Sequence, residues 1–375
     1  MWYFDVMNKS EKRAYYCIIL AAGFSSRMVV HKPLLPIGQQ PAIARTVRSV
    51  AEAGVVPLVV LGHRGEDIER TIEGSGAVFA RNAEFVSGMF SSVTTGARVI
   101  ANDPNAGAFF LLPADCCAIA PETFRRLIEE FESHEEILYP KFNGKRGHPP
   151  MIPASLAGGL MKHVPDNTGA RGYFEQYPSR FVEVVDAGIL LDMDTPRDYA
   201  EMLRYLRFPT FPEISRAYSM FAEHETAADI IAHGEQTAQY CRRAGEALNA
   251  RGAGINVPLL EVSALLHDIC RAEDEHAERG FELLLRAGYP DTAILVRGHM
   301  EPPPEGASSE AEILYIFDKI LRRGEVLNPA ETLKRLQKRF ADDPDALCAA
   351  TVRMEACSKL LKKYEKRYSV SLMNV

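Results

Sequence analysis

Two hydrophobic patterns divide this chain. Up to about residue 200, short apolar runs alternate with segments of helical spacing. The runs Tyr15–Ala21, Val55–Leu61, Ala108–Leu112, Glu136–Tyr139, Phe181–Val185 and Gly188–Asp192 predict strands. Helical spacing predicts helices over Ala42–Ala53, Ser91–Ala101, Pro121–Glu132 and Ala170–Gln176. The first run is apolar at nearly every position, as in a parallel strand buried on both faces. Strand–helix alternation predicts an α/β sheet covered on both sides, with ligands beyond the carboxyl ends of its strands. From about 213 only helical periodicity remains, which predicts an all-α region. The stretch Arg207-Phe208-Pro209-Thr210-Phe211-Pro212 reads as a linker, because its prolines stop a helix. The expected domains are 14–206 and 213–375.

The length of 375 residues accommodates two such domains. A net charge of −7 argues against nucleic acid or an anionic membrane as partner. No apolar stretch approaches the roughly 18 residues of a membrane span. Asp5, Lys9, Glu11, Lys12 and Arg13 precede the first strand, so this segment does not read as a signal peptide. Seven cysteines without a CxxC pair point to reduced thiols and a cytoplasmic setting. In so acidic a chain, any polyphosphate site has to be locally positive or use a divalent cation.

One segment answers that requirement. The first strand opens into Leu20-Ala21-Ala22-Gly23-Phe24-Ser25-Ser26-Arg27-Met28, with Lys32-Pro33-Leu34-Leu35-Pro36 beyond. Gly23 lets the backbone approach an anion, Ser25 and Ser26 carry hydroxyl donors, and Arg27 and Lys32 carry positive charge. Two apolar runs end in acids: Phe109–Leu112 leads to Asp115, and Leu190-Leu191 leads to Asp192 and Asp194. Such carboxylates suit Mg²⁺. They equally suit helix capping, for Asp115 before the helix at Pro121 and for Asp194 before Thr195-Pro196.

Residues 15 to about 200 resemble the MobA-like nucleotidyltransferases, which attach a nucleotide to molybdopterin. Leu20–Pro36 is similar to that family's L-A-A-G-x-S-x-R-M-G-x-x-K-x-L-L-P. Gly88-Met89-Phe90-Ser91-Ser92 is similar to its G-M-x-x-S loop, Gly144–Pro149 to its G-x-x-G-H-P loop, and Leu191–Tyr199 to its D-I-D-T-P-E-D-Y. The resemblance implies a Rossmann-like domain in which Leu20, Ala21, Ala22, Gly23, Ser25, Ser26, Gly88 and Ser92 bind the nucleotide. Arg27 and Lys32 would grip the triphosphate. Asp115 would bind Mg²⁺, with Asp192 or Asp194 completing the site. Gly147, His148 and Pro149 would lie near the acceptor. The L-A-A-G opening favours CTP as the nucleoside triphosphate. Molybdopterin would be the acceptor, pyrophosphate the leaving group, and a molybdenum hydroxylase apoprotein a further partner. Val29 replaces the family's Gly, and Cys116-Cys117 follow Asp115. Both departures keep open another acceptor, such as a sugar, polyol or choline phosphate.

The helical half carries a second constellation. His267-Asp268 interrupts the apolar Leu265-Leu266…Ile269, and Asp318 shares a helical face with Leu314 and Leu321. A carboxylate buried alone is costly, and a cation removes the cost. Imidazole with carboxylate suits Fe, Mn, Zn, Co or Ni. The ordered set His233, His267-Asp268, His276, His299 and Asp318 resembles the HD phosphohydrolase superfamily, an all-helical metal-dependent fold. The resemblance implies that His233, His267, Asp268 and Asp318 hold one metal, that His276 and His299 extend the site to two, and that His267 and Asp268 are catalytic. The chain is thus expected to be a bifunctional enzyme, a nucleotidyltransferase joined to a phosphohydrolase. A regulatory nucleotide sensor is the alternative for the helical half. Lys359, Lys362, Lys363, Lys366 and Arg367 read as a solvated face.

Overall fold

The computed structural model of the protein describes residues 13–25, 28–163, 168–322 and 324–375. They form two compact units divided between Phe208 and Pro209.

The first unit is built on β1 (Ala14–Leu20), β2 (Val56–Leu61), β3 (Val78–Arg81), β4 (Ala106–Pro113), β5 (Ile137–Phe142), β6 (Met151–Pro153) and β7 (Ser179–Glu183). These strands lie in the order β7-β5-β6-β4-β1-β2-β3, and a short strand, Lys145–Arg146, pairs with β5 off that path. β1 is central and parallel to both neighbours, with Leu20 opposite Val60 on one side and Pro113 on the other. β6 is antiparallel to β4 and β5, so the sheet is mixed.

Successive β1 residues face opposite layers. Cys17 and Ile19 pack with Ile43, Val47, Phe124 and Leu127, from the helices Ala42–Glu52 and Pro121–His134. Ile18 packs with Val93, Ala97 and Phe174 on the other face. The alternation explains why β1 is apolar throughout. Gly96 allows the helix Met89–Ala101 to approach, since a Cβ there would lie 2.5 Å from Ile18 Cγ2.

Two expectations are corrected in this unit. Gly188–Asp192 is not a strand: Ala187–Leu190 is a 3₁₀ turn, and Leu191 and Asp192 continue without a strand partner. Asp186 explains the turn. Its carboxylate accepts from Ala120 N at 2.9 Å, Thr123 Oγ1 at 2.7 Å and Gly188 N at 2.8 Å, pinning the turn to the start of the helix Pro121–His134. β3 and β6 lie outside the predicted strands, because four and three residues are too short to show a period.

The second unit is helical apart from a small pairing of Leu321–Arg322 with Glu325–Val326. Its centre is Val257–Leu266, buried at Leu260 and from Val262 through Leu266. The helices Ala228–Asn249, Pro290–Gly298 and Ser309–Ile320 pack around it. The basic face on the helix Pro344–Tyr368 is not wholly solvated. Lys363 Nζ donates to both oxygens of buried Glu312 at 2.7 and 2.6 Å, and Tyr364 Oη donates to it at 2.8 Å.

The Gly96 contact yields a test. Gly96→Val forces atoms into the Ile18 side chain and is expected to lower unfolding free energy in urea by about 1–3 kcal/mol. Gly158→Ala, where a Cβ meets nothing within 4 Å, serves as the neutral control.

Candidate functional sites

Parallel pairing brings the ends of β1 and β4 to one edge. There Leu20–Ser25, Lys32, Pro113–Asp115, Gly88, Met89 and Ser92 line a cavity of 330 Å³. Ser25 has a left-handed backbone, φ 56°, and its hydroxyl accepts from Lys32 N at 3.1 Å, so it closes the loop on itself. Val29 is also left-handed, φ 63°, a strained conformation for a β-branched residue and the physical reason glycine suits the position. Ser26 and Arg27 lie outside the described residues. Gly88, φ 100°, starts the helix Met89–Ala101, whose first turn borders the cavity.

The Lys32 ammonium donates to Asp115 Oδ2 at 3.0 Å and Asp194 Oδ1 at 2.6 Å. Burial alone would lower its pKa, but the two carboxylates outweigh burial and raise it. Thr195, not Asp194, caps the helix Pro196–Tyr205, in a reciprocal capping box with Asp198. The helix Pro121–His134 begins at Ala120 without a side-chain cap. Neither acid is therefore consumed in capping. Asp192 lies outside the lysine clasp; lost hydration, then Asp194 and Asp115, raise its carboxyl. Among the described residues, Lys32 stands between two of the acids expected to hold a metal. Carboxylate oxygens gathered at one strand edge are the ligand type a divalent cation prefers.

Gly147 and His148 are sewn into the same edge. Gly147 N donates to Pro140 O at 3.0 Å and His148 N to Ile189 O at 2.9 Å. A Cβ at Gly147 would lie 2.3 Å from Ile189 O, so only glycine fits. Asp115 is near enough to raise the His148 imidazole, though lost hydration outweighs it and leaves the pKa lowered. Pro149 is buried behind them. The pattern missed Asn82, which follows the unpredicted β3. Its Nδ2 donates to Ser91 Oγ at 2.8 Å and Ser92 Oγ at 3.0 Å, holding the Gly88–Ser92 loop.

In the helical unit, the six expected ligands come together as two trios: His233, His267 and Asp318, and Asp268, His276 and His299. Within each trio the ligand atoms lie within 4.8 Å of one another. Asp268 groups with His276 and His299 while keeping contact with His267 of the quartet that the resemblance implies. Its Oδ1 is 3.2 Å from His276 Nε2 and 3.5 Å from His299 Nε2, while its Oδ2 is 3.6 Å from His267 Nε2. Asp268 therefore spans both trios. Gly234 allows the helices Ala228–Asn249 and Val257–Leu266 to meet beside His233, for a Cβ there would be 2.3 Å from Leu265 O.

Ring orientation follows from local backbone. Nδ1 of His267 lies 2.7 Å from Ala264 O, and Nδ1 of His299 lies 2.6 Å from Val296 O. With a cation bound, each Nδ1–H would donate to its carbonyl and leave Nε2 with its lone pair toward the centre. His267 Nε2 and Asp268 Oδ1 are buried without a hydrogen-bond partner. Orphaned atoms of these types are what a cation would satisfy. Burial raises both carboxyls, yet the histidines outweigh it: Asp268 is drawn down to about 2 with His299 the largest opposing influence, and Asp318 well below its ordinary value by His233 and His267. The pattern also missed two cations at this centre. Lys319 Nζ is 2.6 Å from Asp318 Oδ2, and Arg271 Nη1 is 3.1 Å from His276 Nε2.

Comparison with known proteins agrees with this division. Residues 17–181 match the MobA-like NTP transferase domain, and residues 230–323 match the HD domain. The chain carries an NTP transferase domain followed by an HD domain. The molybdenum cofactor cytidylyltransferase of Escherichia coli K12 is 27% identical over 186 residues, covering 49% of this chain and 92% of that protein. Among solved structures, Rv0371c from Mycobacterium tuberculosis H37Rv is 24% identical with a TM-score of 0.44, over 52% of this chain and 99% of its own. A nucleotidyl transferase from Methanothermobacter thermautotrophicus is 24% identical with a TM-score of 0.45, over 52% of this chain and 98% of its own. No helix among the described residues is long and apolar enough to cross a membrane.

Beside the NTP transferase cavity lies an aromatic layer that the pattern did not reveal. Phe24 is 5.0 Å from His63 and 5.3 Å from Phe85 by ring centroids, and His31 stacks on His63 at 5.6 Å. His31 is buried and neither ring nitrogen has a hydrogen-bond partner. Burial, then Arg64 and His63, push its imidazole down to about 4. The unfolded chain, titrating near 6.5, binds more protons than the folded one between these values. Stability from this group is thus present above about 6.5 and lost as pH falls toward 4. His31→Phe is expected to make the acid loss of stability over that range shallower, by on the order of 2–3 kcal/mol. Urea unfolding at pH 7 and pH 4.5 measures it; equal losses in both proteins would contradict it.

Proposed function

We propose that the NTP transferase domain moves a nucleotidyl group, CMP from CTP, onto the terminal phosphate of molybdopterin with release of pyrophosphate. The carrying observation is the Lys32 clasp between Asp115 and Asp194 at the floor of the cavity. Mg²⁺ held by Asp115 and Asp194, with Asp192 adjacent, would stabilise charge on the phosphates. Lys32 would then be released from the acids to pair with a phosphate oxygen. The first turn of the helix Met89–Ala101 offers backbone N–H groups to the same anion. Ser92, oriented by Asn82, adds a hydroxyl. An acceptor phosphate is already ionised at neutral pH, so no general base is required. The exposed apolar rim of Phe24, Val86 and Met89 suits a planar ring. The distant relation to molybdenum cofactor cytidylyltransferase supports CTP and molybdopterin.

The HD domain is proposed to hydrolyse a phosphate ester or anhydride. The orphaned His267 Nε2 and Asp268 Oδ1 support a transition-metal centre there, with Fe, Mn, Zn, Co or Ni as the chemically suitable ions. Such metals activate water and polarise a phosphoryl oxygen. Arg271 and Lys319 stand where a phosphate would need positive charge.

Two measurements test these readings. With Mg²⁺, CTP and molybdopterin, pyrophosphate release is expected to exceed that with GTP, ATP or UTP and to fall at least 100-fold, roughly, in Asp115→Asn. Release that ignores molybdopterin but follows a sugar, polyol or choline phosphate would overturn the acceptor. For the HD domain, Asp268→Asn is expected to lower bound transition metal and to abolish metal-dependent hydrolysis of nucleotides and p-nitrophenyl phosphate. Absence of any such hydrolysis in the metal-loaded parent chain would favour a sensor instead.

A further inference from the structure

A third cluster of ligand-type side chains lies outside both sites. His224 ends the helix Ile214–Glu223, and Cys270 and Glu273 sit on the turns after His267-Asp268. Glu273 N donates to Cys270 O at 2.9 Å, a spacing that turns both side chains toward His224. Thr226 Oγ1 donates to Ile269 O at 3.4 Å and ties the two segments together. Cys270 Sγ is 3.4 Å and Glu273 Oε1 is 3.0 Å from His224 Nε2, and all three ligand atoms lie within 4.8 Å of one another. Cys270 is buried, while His224 and Glu273 are partly open to solvent.

In the metal-free protein the Glu273 carboxylate pairs with His224 Nε2 and also with the Cys270 thiol, which burial and then that carboxylate hold protonated. A cation at the centre would serve sulfur, nitrogen and oxygen together. Tetrahedral zinc, with bonds of about 2.0–2.3 Å, sets ligand–ligand edges of about 3.3–3.8 Å; the Cys270 Sγ–His224 Nε2 distance of 3.4 Å falls within that range and the Glu273 Oε1–His224 Nε2 distance of 3.0 Å just below it.

We infer that His224, Cys270 and Glu273 form a separate site for a zinc-class divalent cation, with solvent as the remaining ligand. The thiol loses its proton to solvent on binding, and the metal takes the sulfur lone pair. The site does not depend on the phosphohydrolase reading, since it shares no ligand with the two histidine–aspartate trios.

Cobalt(II) distinguishes the sites, because the trios contain no sulfur. The probe is Co²⁺ added to metal-stripped full-length protein carrying Cys348→Ser, which removes the exposed thiol. The expected result is a sulfur-to-cobalt charge-transfer band in the near ultraviolet that Zn²⁺ displaces. The band disappears in Cys270→Ser, with one metal fewer per chain. His224→Gln, whose side chain is partly solvent-exposed and whose fold is checked by circular dichroism, weakens cobalt affinity at this band at least tenfold, roughly. No band at saturating cobalt, or a band that survives Cys270→Ser, would overturn the site.

Discussion

The parallel pairing of β1 with both neighbours is the constraint on which the first unit depends. Three strands running the same way deliver their following loops to one edge of the sheet. The ladder even continues past the strands: Ala21 N donates to Val60 O, His63 N to Ala22 O, and Ala114 N to Leu20 O. Residues distant in sequence are thereby held in register before any side chain is considered. Gly62 belongs to this junction, since a Cβ there would lie 2.7 Å from Ala22 Cβ and 2.9 Å from Ala22 O. The cavity is a consequence of sheet direction, and the Lys32 clasp is a consequence of the cavity.

The two main sites compensate concentrated charge differently. In the sheet unit, Asp115 and Asp194 face an internal ammonium, that of Lys32. In the helical unit, hydrogen bonds fix the far side of His267 and His299, while His267 Nε2 and Asp268 Oδ1 are buried without a hydrogen bond, facing only the other charged groups of the centre. An unsatisfied buried polar atom costs about 1–3 kcal/mol. Close-packed helices hold these atoms in place, with Gly234 setting how near two of them come. That cost lies at the residues grouped as candidate metal ligands.

Much of this organisation is legible along the chain. Apolar runs locate β1, β2 and β4, and the change of periodicity locates the helical half. The loop after Leu20 and the His267-Asp268 pair stand out because polar chemistry interrupts apolar runs. Less is legible where structure is short or nonlocal. β3 has four residues, too few to show a period, and nothing along the chain singles out its neighbour Asn82, which holds Ser91 and Ser92. Lys363 looks solvated within its own helix, and its buried partner Glu312 lies in another.

The sequence by itself determined residue chemistry and local periodicity: which segments become strands or helices, and which carry anion- or metal-binding groups. Tertiary structure alone decided how those groups are shared. It gave helix capping to Thr195 and left Asp194 to Lys32; it turned Gly188–Leu190 aside through Asp186; it grouped Asp268 with His276 and His299; and it drew His224, Cys270 and Glu273 together. The physical reason is range. Propensity and periodicity act over a few residues of chain, whereas a carboxylate or an imidazole responds to whatever charge lies within a few ångströms, however far away in sequence.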